Sequence, residues 1–143
     1  MSLSDKQWEF LKDIASLVRF AEMSNFKLTG GELWRPDEMQ LLYYYGYTIK
    51  VNNNELELVK SVQKSKTLDS QHKKRLAEDF NIFLNINDGY LLLNNIDLKE
   101  AKVYAQPLGD FWEKLNEKNV WGGNYPEKYK TTFLDVPHFE RLE

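Results

Sequence analysis

The chain has 143 residues, a formal net charge of −3 and no cysteine. That length bounds the molecule to one domain able to bury a core without covalent staples, and the missing cysteines exclude a disulfide framework and thiol chemistry. A hydrophobic share of 42% excludes a disordered chain, and mild acidity without a dense basic block excludes a dedicated nucleic-acid binder.

From the N-terminus, Ser4 and Gln7 read as a capping box that opens a helix running to about Met23. Trp8, Leu11, Ile14, Leu17, Val18 and Ala21 recur at helical spacing and are expected in the core. Phe26 to Thr29 reads as a short strand stopped by Gly30-Gly31. A second helix is expected from Pro36 at its first position, with Asp37 and Glu38 in the first turn, Leu41, Leu42 and Tyr45 packing, and Gly46 ending it. Tyr43, Tyr44, Tyr45 and Tyr47 form an aromatic cluster, most of it core or edge with some lining a groove. Asn52-Asn53-Asn54 marks a loop, and Leu56 to Val62 reads as another short helix.

Around Asp79 the pattern has a period of two. Leu76, Glu78, Phe80, Ile82 and Leu84 fall on one face, and Ala77, Asp79, Asn81, Phe83 and Asn85 on the other. This predicts a strand with an apolar core face and Asp79 directed into a polar groove. Asn87-Asp88-Gly89 predicts a hairpin turn returning through Tyr90 to Leu93. Asp97 is expected to cap a helix that breaks at Pro107 and restarts to about Asn116. Last strands are expected near Val120-Trp121 and Thr132 to Leu134, ending at His138. Mixed helices and antiparallel strands make this an α+β domain, a small antiparallel sheet with helices packed on it, spanning residues 1–143 without a repeat or linker.

The chain has only two histidines, and each stands in a short frame with a carboxylate. His72 precedes Asp79, and Asp135 precedes His138. Neutral imidazole and carboxylate are zinc ligands, and a catalytic zinc keeps three protein ligands with a fourth position for water. His72, Asp79 and His138 meet that count. Asp135, three residues before His138 with Val136-Pro137 between, is expected in an extended segment that brings it near the metal without ligating it, where it can serve as the base. On residue types and spacing alone, two surface histidines near acids account for the pattern equally well.

The complete frames are more specific. Ser70-x-His72-x4-Ala77-x-Asp79, followed by Asp135-x-x-His138-Phe139-Glu140, resembles the D-Ala-D-Ala carboxypeptidase (VanY-type) zinc peptidases. The nearest likeness is to their phage branch, the L-alanyl-D-glutamate endopeptidase endolysins. Thr29 to Arg35, Ser65-Lys66-Thr67, Pro107 to Trp112 and Trp121 to Asn124 fall in the same order as pieces of that pattern, so the resemblance runs from about Leu28 to Glu140. It implies a hedgehog/D-Ala-D-Ala-peptidase-like fold and a Zn2+ ion held by His72, Asp79 and His138. It also implies Asp135 as catalytic base, Arg35 as the arginine that orients the substrate, and Ser70 and Ser65 as substrate-binding or supporting residues. Many members have glycine where Arg75 stands, which places the backbone geometry there in question. Carboxypeptidase and dipeptidase members commonly carry glutamate at the Asp135 position, so aspartate points to the endopeptidase branch.

The resemblance implies a peptidoglycan stem peptide as the partner, with no nucleic acid and no membrane, and a monomer. No separate cell-wall-binding domain is expected. No apolar run approaches the roughly 18–20 residues of a membrane span, and the N-terminus lacks the apolar core of a signal peptide. The expectation is a protein cytoplasmic as synthesised that reaches the wall after phage-type release. Two rivals remain, a D-Ala-D-Ala carboxypeptidase or dipeptidase, and a non-catalytic zinc-containing binding protein on the same fold.

Overall fold

A computed structural model describes residues 1–143. Helix α1 (Leu3–Met23) leads into β1 (Phe26–Gly30), then α2 (Asp37–Tyr45) and a hairpin of β2 (Tyr47–Asn52) and β3 (Glu55–Lys60). A 3-10 turn at Gln71–Lys74 precedes the long β4 (Ala77–Ile86), followed by β5 (Gly89–Leu92), α3 (Leu98–Leu115), β6 (Asn119–Trp121), the short α4 (Tyr125–Tyr129) and β7 (His138–Arg141). The α+β expectation holds, with one antiparallel sheet in the order β1-β4-β7-β6, β5 pairing with the far end of β4, and the β2–β3 ribbon separate from it. No helix is long and apolar enough to cross a membrane.

The cap of α1 is Ser2 with Asp5, two residues ahead of the expected pair, and Ser2 Oγ accepts from the Asp5 backbone N–H at 3.2 Å. The face that packs is Phe10, Leu17 and Ala21, fully buried, with Ile14 beside them. Trp8, Leu11 and Val18 lie off that face and are exposed. At 100° per residue Trp8 stands nearly opposite Phe10, so the run of apolar residues offered two stripes, and only one meets the sheet.

Helix α2 begins one residue later than expected, with Pro36 as N-cap, and ends at Gly46 in the left-handed region (φ 76°). Its buried residue is Gln40, whereas Leu41 and Tyr45 are exposed. The expected helix at Leu56 is instead strand β3. Asn53 and Asn54 both take positive φ (50° and 63°) and turn the chain within two residues, so Ile49 faces Leu58 and Val51 faces Leu56 across the ribbon. Asparagine is one of the few residues that tolerates this conformation.

The β4–β5 hairpin forms as expected, with Ile86 opposite Gly89 and the turn on Asn87-Asp88. Asp97 caps α3 by accepting from the Lys99 and Glu100 amides. Pro107 does not break this helix. The carbonyl it deprives of a bond is that of Val103, on a side of the helix whose side chain is 73% exposed, where water can replace the missing donor. The segment Thr132 to Leu134 is irregular rather than a strand, and β7 starts only at His138.

Helices α1 and α3 cover one face of the sheet. Phe80 and Ile82 of β4, Phe139 of β7, and Trp112 and Leu108 of α3 close the core between them. The indole N–H groups are satisfied there, Trp112 donating to the Val120 carbonyl (3.1 Å) and Trp121 to the Val136 carbonyl (2.8 Å). Gly109 of α3 lies against the Trp121 ring, and a methyl group added at Gly109 would collide with it. Gly109→Ala is therefore expected to lower unfolding free energy by about 3 kcal/mol, the upper range for overpacking, as read by urea denaturation.

Candidate metal centre

Strand alternation separates two kinds of side chain. Phe80 and Phe139 face the core, so Asp79 and His138, one position away on their strands, face outward. The β4–β7 register pairs Asp79 with His138 directly. His72 comes from the 3-10 turn just before β4. Ser70 caps that turn, its hydroxyl accepting from the His72 backbone N–H at 3.3 Å. Arg75 ends the turn in the left-handed region (φ 56°, ψ 39°). The backbone thus takes the conformation that suits glycine despite the side chain, at a cost of about 1–2 kcal/mol, and the Arg75 guanidinium lies 5.1 Å from the Trp34 ring centroid.

The result is a tight triangle. His72 Nε2 lies 3.2 Å from His138 Nδ1 and 3.3 Å from Asp79 Oδ2, and His138 Nδ1 lies 2.8 Å from Asp79 Oδ1. Candidate ligand atoms of the three residues all lie within 4.8 Å of one another. Tetrahedral zinc with bonds of about 2.0–2.1 Å spaces its ligand atoms about 3.4 Å apart, so the donor set and its dimensions fit a metal ion. The remaining ring nitrogens are also directed. His72 Nδ1 faces the Leu33 carbonyl at 3.4 Å, and His138 Nε2 lies 3.3 Å from Glu140 Oε2. Partners of this kind fix ring orientation and tautomer in metal sites.

The electrostatics select a positive charge at the same point. Burial disfavours a charged His138 ring, yet hydrogen bonds to Asp79 and Glu140 push its pKa up to about 10. Burial would raise Asp79, but hydrogen bonds with both imidazoles hold it well below the usual carboxylate range. Burial likewise opposes ionisation of Glu140, and His138 overcomes it. A proton or a metal cation satisfies this cluster of donors.

Asp135 stands at the edge of the triangle. Its backbone N–H donates to the Gly122 carbonyl (3.1 Å), and its own carbonyl accepts from the His138 N–H (3.1 Å). The segment from Asp135 to His138 is therefore a closed turn, not the extended stretch expected, and it swings Asp135 beside the ligand that follows. Gly122 makes this possible, because a side chain there would strike the Asp135 backbone. Burial raises the Asp135 carboxyl pKa, and Asp79 and Glu140 nearby add to it against the two histidines.

Arg35 is buried behind the triangle. Its Nε and Nη2 donate to Glu32 Oε1, and its Nη1 donates to Gln40 Oε1 at 2.9 Å. These bonds use one N–H on each terminal nitrogen, and Arg35 itself lines the cleft. Gln40 then donates to Ser65 Oγ (2.8 Å) and the Thr67 carbonyl (2.5 Å). Ser65 thus supports the site through Gln40 and Arg35. Four residues that received no role from the sequence complete the surroundings: Glu32, Gln40, Tyr125 and Glu140. Tyr125 donates to Glu140 Oε1 at 2.7 Å, its phenol kept protonated by burial and by Glu140. Glu140 was legible, since a residue two after a strand ligand shares its face.

All the residues read from sequence as site residues, from Arg35 to His138, line one cleft of about 860 Å3, except Ser65, which sits in its wall. Of the four clustered tyrosines Tyr43 reaches the cleft, where it carries the Arg35 guanidinium 4.7 Å from its ring centroid. Tyr125, Tyr129 and Phe133 form an aromatic wall opposite.

Among curated proteins no sequence matches the chain. A family model described as D-alanyl-D-alanine carboxypeptidase matches residues 63–141. That span is more than half of the chain and includes the 3-10 turn, β4, the Asp135 turn and β7; Arg35 lies ahead of it. Since the matched stretch carries all three corners of the triangle, the chain belongs to the D-alanyl-D-alanine carboxypeptidase family of peptidases.

Proposed function

We propose that the protein is a zinc-dependent peptidase of peptidoglycan stem peptides, cleaving between L-Ala and D-Glu as the phage endolysins do. The observation that carries the reading is the convergence of His72 Nε2, His138 Nδ1 and the Asp79 carboxylate at the floor of a cleft that Asp135 shares. His72, Asp79 and His138 would hold zinc, which when bound supplies Lewis acidity and lowers the pKa of a coordinated water to around 7.

The chain's own residues do the rest. Asp135, its carboxyl raised by burial, takes a proton from the attacking water and returns it to the departing nitrogen, so one carboxyl serves as base and then acid. Arg35, fixed by Glu32 and Gln40, presents its guanidinium to a substrate oxygen. Ser70 fixes His72, and Glu140 with Tyr125 fixes the His138 ring. Aspartate at position 135 rather than glutamate supports the endopeptidase branch.

A second reading, release of terminal D-Ala, is favoured by the description of the matched family. Digestion of purified peptidoglycan by the zinc-loaded protein, with mass spectrometry of the products, separates the two. New amino-terminal D-Glu marks the endopeptidase. Free D-Ala alone marks the carboxypeptidase and overturns the proposed bond.

A further inference from the structure

We propose that Lys64 and Lys66 form a subsite for a free carboxylate, so that the protein selects stem peptides whose D-Glu α-carboxylate is not amidated. This rests on the endopeptidase reading above. In a peptide cut between L-Ala and γ-linked D-Glu, the α-carboxylate of D-Glu stands free beside the scissile bond.

The strap that follows β3 carries both lysines. Its backbone is pinned, with Ser61 N–H on the Gly46 carbonyl (2.7 Å) and the Lys64 and Ser65 amides on the Tyr43 carbonyl (2.9 and 3.2 Å). Gln40 holds Ser65 and Thr67 from below. Ser65 is buried while Lys64 and Lys66, one on each side of it, are exposed, and both line the cleft.

Neither ammonium has a carboxylate within 4.0 Å, whereas Arg35, the third cation lining the cleft, does, as do the two lysines of the His72 turn. Lys73 pairs with Asp37, Lys74 with Asp69 and Glu143, and Arg35 with Glu32. Lys64 instead rests 5.2 Å from the Tyr43 ring centroid and Lys66 5.7 Å from that of Phe133. Lys66 thereby reaches from the strap to the opposite wall. Aromatic faces hold a cation without neutralising it, so both charges stay available to an incoming anion. The acids of the cleft that lack a lysine or arginine partner, Asp79, Asp135 and Glu140, all belong to the floor around the histidines. A bound peptide therefore meets unneutralised ammonium groups at the strap, which attract any carboxylate it carries there.

The test uses two synthetic muramyl peptides, one with D-Glu and one with D-isoglutamine, which differ only in that carboxylate. Wild type is expected to favour the acid by about tenfold in kcat/KM, the effect of one charge-assisted hydrogen bond. Lys64→Met with Lys66→Met should erase the preference by raising KM for the acid, leaving kcat, zinc content and turnover of the amidated peptide unchanged. Arginine at both positions should restore it. Calorimetric binding of both peptides to the Asp135→Asn protein reads the subsite without turnover. Equal binding of the two peptides there, or a preference that survives loss of both lysines, overturns the subsite. Selective binding of the acid without hydrolysis by wild type overturns the endopeptidase reading alone.

Discussion

Asp135→Asn is expected to lower kcat on stem peptides by about 10^3-fold while zinc content stays at wild type. Proton transfer by a placed base contributes roughly 10²–10⁴, and asparagine keeps the shape but cannot accept the proton. The turn that holds the residue depends on backbone bonds to Gly122 and His138, which the substitution leaves intact, so the site should remain assembled. Steady-state kinetics beside metal analysis by mass spectrometry reads both quantities. Undiminished turnover would remove Asp135 from the reaction, and full turnover loss with metal loss would make it a ligand instead. A protein that binds peptide equally well in both forms and hydrolyses in neither is the non-catalytic binder.

His72→Ala is expected to abolish metal binding and with it a large part of thermal stability. The ring is 1% exposed, and its Nε2 is one corner of the triangle. A ligand present at 100 times its Kd stabilises by about 2.7 kcal/mol, which for a chain of this length is a rise of about 10 °C in Tm. Chelation should therefore lower the Tm of the wild type by about that amount and leave the Tm of the variant unmoved. Zinc retained at one per chain in the variant would refute the ligand assignment. Because β4 and β7 carry the other two corners in direct register, metal loss should loosen the pairing of these strands first, visible as faster amide exchange at Phe80 and Arg141, whose N–H groups donate across that seam to the Pro137 and Leu76 carbonyls.

Much of this was legible in the order of residues. The two histidine frames pointed to the three residues that the fold brings together, although spacing alone fitted two surface histidines equally well and the likeness of the whole frames to the zinc peptidases decided the reading. Glycine at 46, the two-residue turn at Asn87-Asp88 and the Asp97 cap act within a few residues of themselves. What stayed hidden depends on distant partners. Gln40 reads as an ordinary helix residue until Thr67 and Ser65 are brought against it, and Glu32 reads as loop polarity until Arg35 and His72 close on it. The strand Glu55–Lys60 did show alternation in Glu55-Leu56-Glu57-Leu58. A period of two argues for a strand because one face is buried, and here the apolar face is not. The first helix failed in the opposite way, with apolar residues on two stripes and only the sheet to choose between them.

That same ribbon has a consequence for handling. Ile49, Val51, Leu56 and Leu58 share one face and are 52–77% exposed, an adhesive strip that only mutual repulsion between molecules keeps apart. The sequence isoelectric point is about 5.5, so this repulsion vanishes in mildly acidic buffer. Turbidity should peak near that pH, and Leu56→Glu, by placing a charge in the middle of the strip, should flatten the peak without touching the cleft.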